Sequence, residues 1–318
     1  MDDYPRTVLE FERRFASEEA CRAYLVRLRW PEGVRCPRCP QARVWPIPRG
    51  LYECTRCGHQ TSVVAGTIFQ GTQHSLRLWF RAMWYVTNQK SGVSALGLQR
   101  VLGLGSYRTA WTWLHKLRAA MVRPGRERLS GMVEVDETYL GGPRAGKHGR
   151  GAAGKVLVVV AAQVEGPRIG RIRLRRVPDA SAPQLERAVQ DAVEPGSIVR
   201  TDGLRSYSRL SARGYRHEVM REETAVVGEN LLPRVNRVVA LLKRWLLGTH
   251  QGAIRPAYLD YYLDEFTFRF NRRTSRWRGK LFYRLVQQAV AVSAVPERRL
   301  RRSPRRLSTT TRGSDLSQ

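Results

Sequence analysis

Two sets of residues have the types and spacing to do chemistry. The first is Cys36-Pro37-Arg38-Cys39 with Cys54-Thr55-Arg56-Cys57, two Cys-x-x-Cys knuckles that flank 14 residues. Each knuckle puts two thiolates on one tight turn, and two knuckles complete a tetrahedral zinc site. A redox dithiol needs a single such motif, so the pair reads as a metal site. Four thiolates close the coordination sphere, so this zinc is expected to be structural rather than catalytic. His59 could replace one ligand, but reads more simply as a surface residue beside the second knuckle. The second set is Asp136, within Met132-Val133-Glu134-Val135-Asp136-Glu137-Thr138-Tyr139, and Asp202, at the end of Ser197-Ile198-Val199-Arg200-Thr201. A carboxylate on an otherwise apolar strand costs desolvation energy unless a cation or a donor compensates it. Metal binding and a paired structural carboxylate both satisfy that condition.

The elements that carry these acids follow from periodicity. Val133, Val135 and Tyr139 alternate with polar residues, the pattern of a half-buried strand, and Gly141-Gly142 closes it. Asp136 and Glu137 then face opposite ways, which leaves Glu137 outside any site that Asp136 enters. Residues 156–162 are continuously apolar and read as a buried strand. Residues 169–177 alternate apolar residues with Arg, as an antiparallel strand with a basic outer face would. A helix over 181–193 and a strand ending at Asp202 follow, then a short helix containing Tyr207. If the first strand is central and the fourth pairs beside it, Asp136 and Asp202 meet. Paired carboxylates suit magnesium or manganese, and phosphoryl-transfer enzymes use such pairs. A further acid normally completes a two-ion cage. Glu222, Glu223 and Glu229 are available, but their segment reads as a solvated loop.

The remainder of the chain supplies a basic frame. With 318 residues and a formal net charge of +29, it is expected to form two or three domains and to meet a polyanion, nucleic acid first. No run of about 20 apolar residues is present to span a bilayer, and the acidic start lacks the apolar core of a signal peptide. A cytoplasmic setting follows, where cysteines serve better as ligands than as disulfides. Residues 7–30 read as a helix with Ser17 as a cap and Cys21 as a buried thiol. Short strands are expected over 44–47 and 51–53, a strand-like piece over 61–69 and an apolar helix over 75–90. Residues 92–102, broken by Gly103 and Gly105, and 106–118 read as helix, turn, helix. Trp111, Leu114, Leu117 and Arg118 sit at core spacing, while Tyr107, Arg108, Thr112 and Lys116 are placed to reach DNA. A plain helical hairpin fits the same residues. An amphipathic helix over 256–273 leads into Arg272, Arg273, Arg276, Arg278 and Lys280, with Trp277 and Phe282 interleaved, either a phosphate-binding cluster or a solvated loop. The basic loop 144–151 is a hairpin tip or a phosphate contact, residues 281–292 form a last helix, and a disordered basic tail is expected from Pro296.

This order of elements, with Asp136 and Asp202, resembles the ribonuclease H-like core of DDE-type bacterial insertion-sequence transposases. The resemblance is nearest to the ISXO-like group with an N-terminal zinc ribbon, through Val135-Asp136-Glu137-Thr138-Tyr139, Leu246-Leu247-Gly248-Thr249-His250 and the segment from Tyr262 to Arg273. It covers about residues 20–290. The resemblance implies an α/β multidomain fold, with a small zinc ribbon (1–73) and a helix-turn-helix (74–125) ahead of a ribonuclease H-like mixed-sheet catalytic domain (126–293), then the tail (294–318). In that family a third catalytic residue opens a late helix, with a Lys two turns on. Here those places are held by Asn236 and, seven residues later, Lys243. Part of the group shares this Asn in place of Glu. The resemblance further implies structural zinc on Cys36, Cys39, Cys54 and Cys57, magnesium or manganese on Asp136 and Asp202, and catalysis by these acids with Asn236 and Lys243. Its partners would be double-stranded DNA, as terminal inverted repeats and target, and further copies of the chain in a synaptic complex. A DNA-binding regulator that has lost catalysis is the alternative, with Asn236 as its mark.

Overall fold

The computed structural model describes residues 3–39, 43–122, 125–141, 155–220, 230–252, 254–294 and 296–302. The basic loop 144–151, Glu222, Glu223, Glu229 and the chain past Arg302 lie outside the described residues.

The helix expected over 7–30 is two helices. Thr7 caps α1 (Val8–Arg14), and Ser17 restarts the chain as α2 (Glu18–Arg29) by accepting from the Ala20 N–H. An antiparallel three-stranded sheet follows, β1 (Val44–Ile47), β2 (Leu51–Cys54) and β3 (Gln60–Ser62). The strand expected to run on to Phe69 stops at Ser62, because Ala65 N–H turns back to the Ser62 carbonyl and Thr67 N–H to that of Val64. Then come α3 (Leu76–Asn88), α4 (Ala95–Leu102) and α5 (Tyr107–Ala120), capped by Ser75, Ser94 and Ser106.

A second sheet takes strands β4 (Met132–Leu140), β5 (Val156–Glu165), β6 (Arg168–Val177), β7 (Ile198–Thr201) and β8 (Arg216–Val219) in the order β6-β5-β4-β7-β8. Central β4 is antiparallel to β5 and parallel to β7, so the sheet is mixed and the chain is an α/β protein. Helix α6 (Ala182–Ala192) crosses over between β6 and β7 and covers one face, on Val133, Val135 and Val199. Helices α7 (Pro233–His250) and α8 (Leu259–Phe270) cover the other, on Val158, Val160 and Leu174. The period-2 alternation of β4 therefore assigns Glu134, Asp136 and Thr138 to the α7 side and Glu137 to the α6 side. Glu137 accordingly accepts from the Tyr207 hydroxyl at 3.0 Å.

Helix α9 (Arg278–Ala291), expected to close the catalytic domain, packs instead in the amino-terminal core with Phe15, Tyr24, Phe80 and Trp84. Phe282 is wholly buried there and is not available to stack on a base, as the sequence pattern suggested. A buried ion pair ties the two bodies together: Arg118 of α5 donates to Glu265 of α8 at 2.8 Å, and Arg269 joins the same carboxylate. The segment expected to begin a disordered tail forms α10 (Glu297–Arg302), with Glu297 paired to Arg108 and Leu300 buried. Among the described residues no helix is long and apolar enough to cross a membrane.

Candidate active site and metal centre

The four cysteine sulfurs all lie within 4.8 Å of one another. Cys36 Sγ is 3.6 Å from Cys57 Sγ, and Cys39 Sγ is 3.5 Å from Cys54 Sγ. Those separations are far longer than a disulfide and near the edge, about 3.8 Å, of a tetrahedron with zinc–sulfur bonds of about 2.3 Å. The second knuckle is the turn between β2 and β3, where Gly58 takes φ 64° so that its N–H reaches the Cys54 carbonyl. Burial pushes the Cys54 thiol up, but hydrogen bonds from the Cys57 and Arg56 backbone and from the Cys39 and Cys57 thiols outweigh it and bring it down to about 6. A thiol so lowered is ready to bind metal as thiolate. His59 stands outside this four-sulfur cluster. Cys21 is a buried thiol, pushed up to about 12 by its burial.

Strand register sets the elements that lead to Asp136 and Asp202 side by side. Met132 pairs with Ile198, Val133 with Val199 and Glu134 with Arg200, a constant offset of 66, which is also the separation of Asp136 from Asp202. A parallel ladder continued at that offset would set the two aspartates level on neighbouring strands. Asp202 ends β7 in a sharp turn: its carboxylate accepts from the Leu204 N–H at 3.0 Å, and Gly203 takes φ 85° where a Cβ would press on Val219. Asp136 is half-buried and accepts from the Glu137 N–H at 2.8 Å, while Asp202 is exposed. Both charges reach buried Tyr207, whose hydroxyl is pushed up by burial first, then by Glu137, Asp136 and Asp202. Among the described residues the cysteines form the one group of three or more His, Cys, Asp or Glu side chains close enough to share an ion.

Helix α7 is fastened to β4 by a residue that pattern reasoning passed over. Glu134, 1% exposed, accepts from the Arg234 N–H at 2.7 Å, the Val235 N–H at 2.9 Å and the Arg234 guanidinium at 3.4 Å. A buried carboxylate at a helix start satisfies orphan N–H groups and meets the positive end of the helix dipole. Asn236 follows one residue later. Its side-chain amide nitrogen donates to Asn230 Oδ1 at 2.7 Å, so its own Oδ1 stands apart from that bond. Lys243 lies two turns on, exposed on the same helical face as Asn236.

The residues expected to touch DNA fare differently. Tyr107 and Arg108 open α5 and are exposed, with Arg108 paired to Glu297. Thr112 is buried, which removes it from any DNA face, and Lys116 is half-buried with its ammonium 6.0 Å from the Trp79 ring centroid. Helix α5 is enclosed on most sides by α4, α8 and α9, so its first turn is the part left exposed. Arg272 and Arg273 lie over the Phe268 and Phe270 rings and donate to backbone carbonyls of Phe268, Phe270 and β6, so they brace the end of α8.

Comparison with known proteins adds a family. Residues 128–271 match the ISXO2-like transposase domain, and residues 16–60 match the transposase zinc-ribbon domain. The first span encloses Asp136, Asp202, Asn236 and Lys243, and the second encloses all four knuckle cysteines. The chain is 25% identical over 292 residues, 84% of its length and 95% of the relative's, to an uncharacterized protein in transposable element ISH50 of Halobacterium salinarum.

Proposed function

The chain carries an ISXO2-like transposase domain behind a transposase zinc ribbon, and from that premise we propose that it is a metal-dependent DNA transposase with a ribonuclease H-like core. It binds the terminal inverted repeats of its element, cuts a strand at each end and joins the freed 3′ hydroxyl to target DNA. The observation that carries the reading is the β4–β7 register, whose offset equals the separation of Asp136 from Asp202.

The residues divide the work by chemistry. Asp136 and Asp202 offer carboxylate oxygens, the donors that magnesium or manganese prefers. Asn236 adds a neutral amide oxygen in place of a third charge, which holds a second cation more weakly than Glu would. A divalent cation bound there would polarise the scissile phosphodiester and activate the attacking hydroxyl. Lys243, on the face shared with Asn236, meets a DNA phosphate or offsets charge that develops in the transition state. Glu137 stays with Tyr207 on the far side of the sheet and takes no part. No covalent link to the protein is required. Cys36, Cys39, Cys54 and Cys57 hold a structural zinc, and the exposed first turn of α5 contributes Tyr107 and Arg108 to the DNA contact. Two ends must be held together, so the working form is a homo-oligomer on DNA, in the cytoplasm at the nucleoid.

The test incubates full-length protein with labelled DNA carrying the terminal repeat, magnesium or manganese, and target DNA, beside Asp136→Ala and Asp202→Ala. Metal-dependent nicking and joining, lost in both variants while DNA binding persists, is the expected result. Binding without cleavage in either metal would overturn the reading and favour a regulator that has lost catalysis, the alternative that Asn236 suggests.

A further inference from the structure

Away from the acidic pair, a cleft of about 630 Å³ opens at the joint between the amino-terminal body and the second sheet. Its walls come from the end of α5, the segment leading to β4, the edge strand β6, α8 and α9. Five of its lining residues are arginines (Arg126, Arg171, Arg173, Arg272 and Arg284), against the single carboxylate of Glu127. Glu127 is engaged by Arg171 at 2.9 Å. Arg173 is 8% exposed and donates to the carbonyls of Ile172 and Glu127. Burial, then the charges of Arg126 and Arg171, bring the Arg173 guanidinium down to about 10, with Arg272 acting the same way.

Four guanidiniums thus bear on one another in a partly enclosed space whose described lining residues include one carboxylate. Such an arrangement is costly when empty and strongly favourable to an anion. A second feature lies in the same wall. Gln288, 8% exposed, leaves its carbonyl oxygen without a hydrogen-bond partner. Arginine forks match phosphate geometry in pairs, which a cluster of lysines would not.

We propose that this cleft binds the phosphate backbone of duplex DNA, as a site separate from the acidic pair. The assignment rests on the reading of the chain as a DNA-acting protein. Edge strand β6 is two strands from β4, about 10 Å at ordinary strand spacing. A backbone held in the cleft has its path and angle fixed against the sheet edge, while its sequence goes unread.

The experiment uses full-length protein with Arg126→Gln/Arg284→Gln, and the charge-keeping pair Arg126→Lys/Arg284→Lys. Each is titrated with terminal-repeat duplex and with unrelated duplex over a series of salt concentrations. The Gln pair is expected to lose about tenfold in affinity for both duplexes and to lower the salt slope by about two, while the Lys pair keeps the wild-type slope. Unchanged slope and affinity in the Gln pair would overturn the proposal, as would an equal loss in the Lys pair. Thermal stabilisation of wild type but not of the Gln pair by inorganic phosphate, with duplex binding unaffected, would assign the cleft to a small anion and also overturn it. Binding is read without cleavage, so failure of the transposase reading and failure of this proposal are distinguishable.

Discussion

At the scale of single residues, the acids that a strand pattern exposes are not the ones that hold the geometry. Asp136 and Asp202 were legible because each interrupts or ends an apolar run, where a carboxylate needs a reason. Glu134 sits two positions before Asp136 on the same face of β4, yet the groups that explain it, the Arg234 and Val235 amides, lie about a hundred residues away. No local signal could announce that partnership. Glu134 is a positioning residue: it fixes the start of α7, and with it Asn236, against the strand that carries Asp136. Glu134→Gln keeps the shape but removes the charge that two amides and a guanidinium meet. It should cost about 1–3 kcal/mol in thermal or denaturant unfolding. It should also raise the magnesium concentration needed for half-maximal cleavage, with a smaller change at saturating metal. A variant that is less stable but has an unaltered metal requirement would reduce Glu134 to a plain helix anchor.

At the scale of elements, local chemistry announced starts better than partners. Ser17 caps the helix that follows it, as its position before a helical pattern foretold, and Ser75, Ser94 and Ser106 cap theirs. Strand β8 was missed because Arg216-His217-Glu218-Val219 is an edge strand, held by an Arg200–Glu218 pair at 2.9 Å rather than by apolar burial. Helix α5 shows the opposite failure: read as exposed along the face of Thr112 and Lys116, it is enclosed there, and it buries His115 completely among the rings of Trp111, Tyr258, Tyr261 and Tyr262. Neither His115 ring nitrogen has a hydrogen-bond partner. Burial first, then Arg118 and His250, holds its pKa at about 2, and burial holds that of His250 at about 4. Both folded values lie below the unfolded value of 6.5, so the unfolded chain takes up protons first as the pH falls. Their stabilisation is therefore complete above pH 6.5 and is lost as the pH drops from there toward 4, at up to about 1.4 kcal/mol per pH unit for each histidine. Thermal unfolding should accordingly show a lower midpoint at about pH 5 than at about pH 7.5. His115→Phe should flatten roughly half of that dependence. Equal midpoints at the two pH values would refute the placement of these rings.

At the scale of the molecule, chain order and packing part company. Helix α9 follows the second sheet and its helices in the chain but completes the aromatic core of α2 and α3, so the boundary at 293 expected from the sequence is not a packing boundary. The complementarity between Phe282 and Phe11, Phe15 or Trp84 spans most of the chain and leaves no periodic trace. That interlock, with the buried Arg118–Glu265–Arg269 network, makes one body of the part that carries the zinc ribbon and the part that carries the acids. A net charge of +29 on such a body favours a polyanion spread across both parts. Everything in this picture depends on Asp136 and Asp202 sharing one cation, and that can be measured without turnover. Ferrous iron substitutes for magnesium at oxygen sites and, with ascorbate and peroxide, cuts the backbone beside the ion. Cuts clustered near residues 136 and 202, suppressed by excess magnesium and absent in both Asp136→Asn and Asp202→Asn, are the predicted result. Cuts near one aspartate that survive loss of the other, or no cuts at either, would contradict a shared metal site.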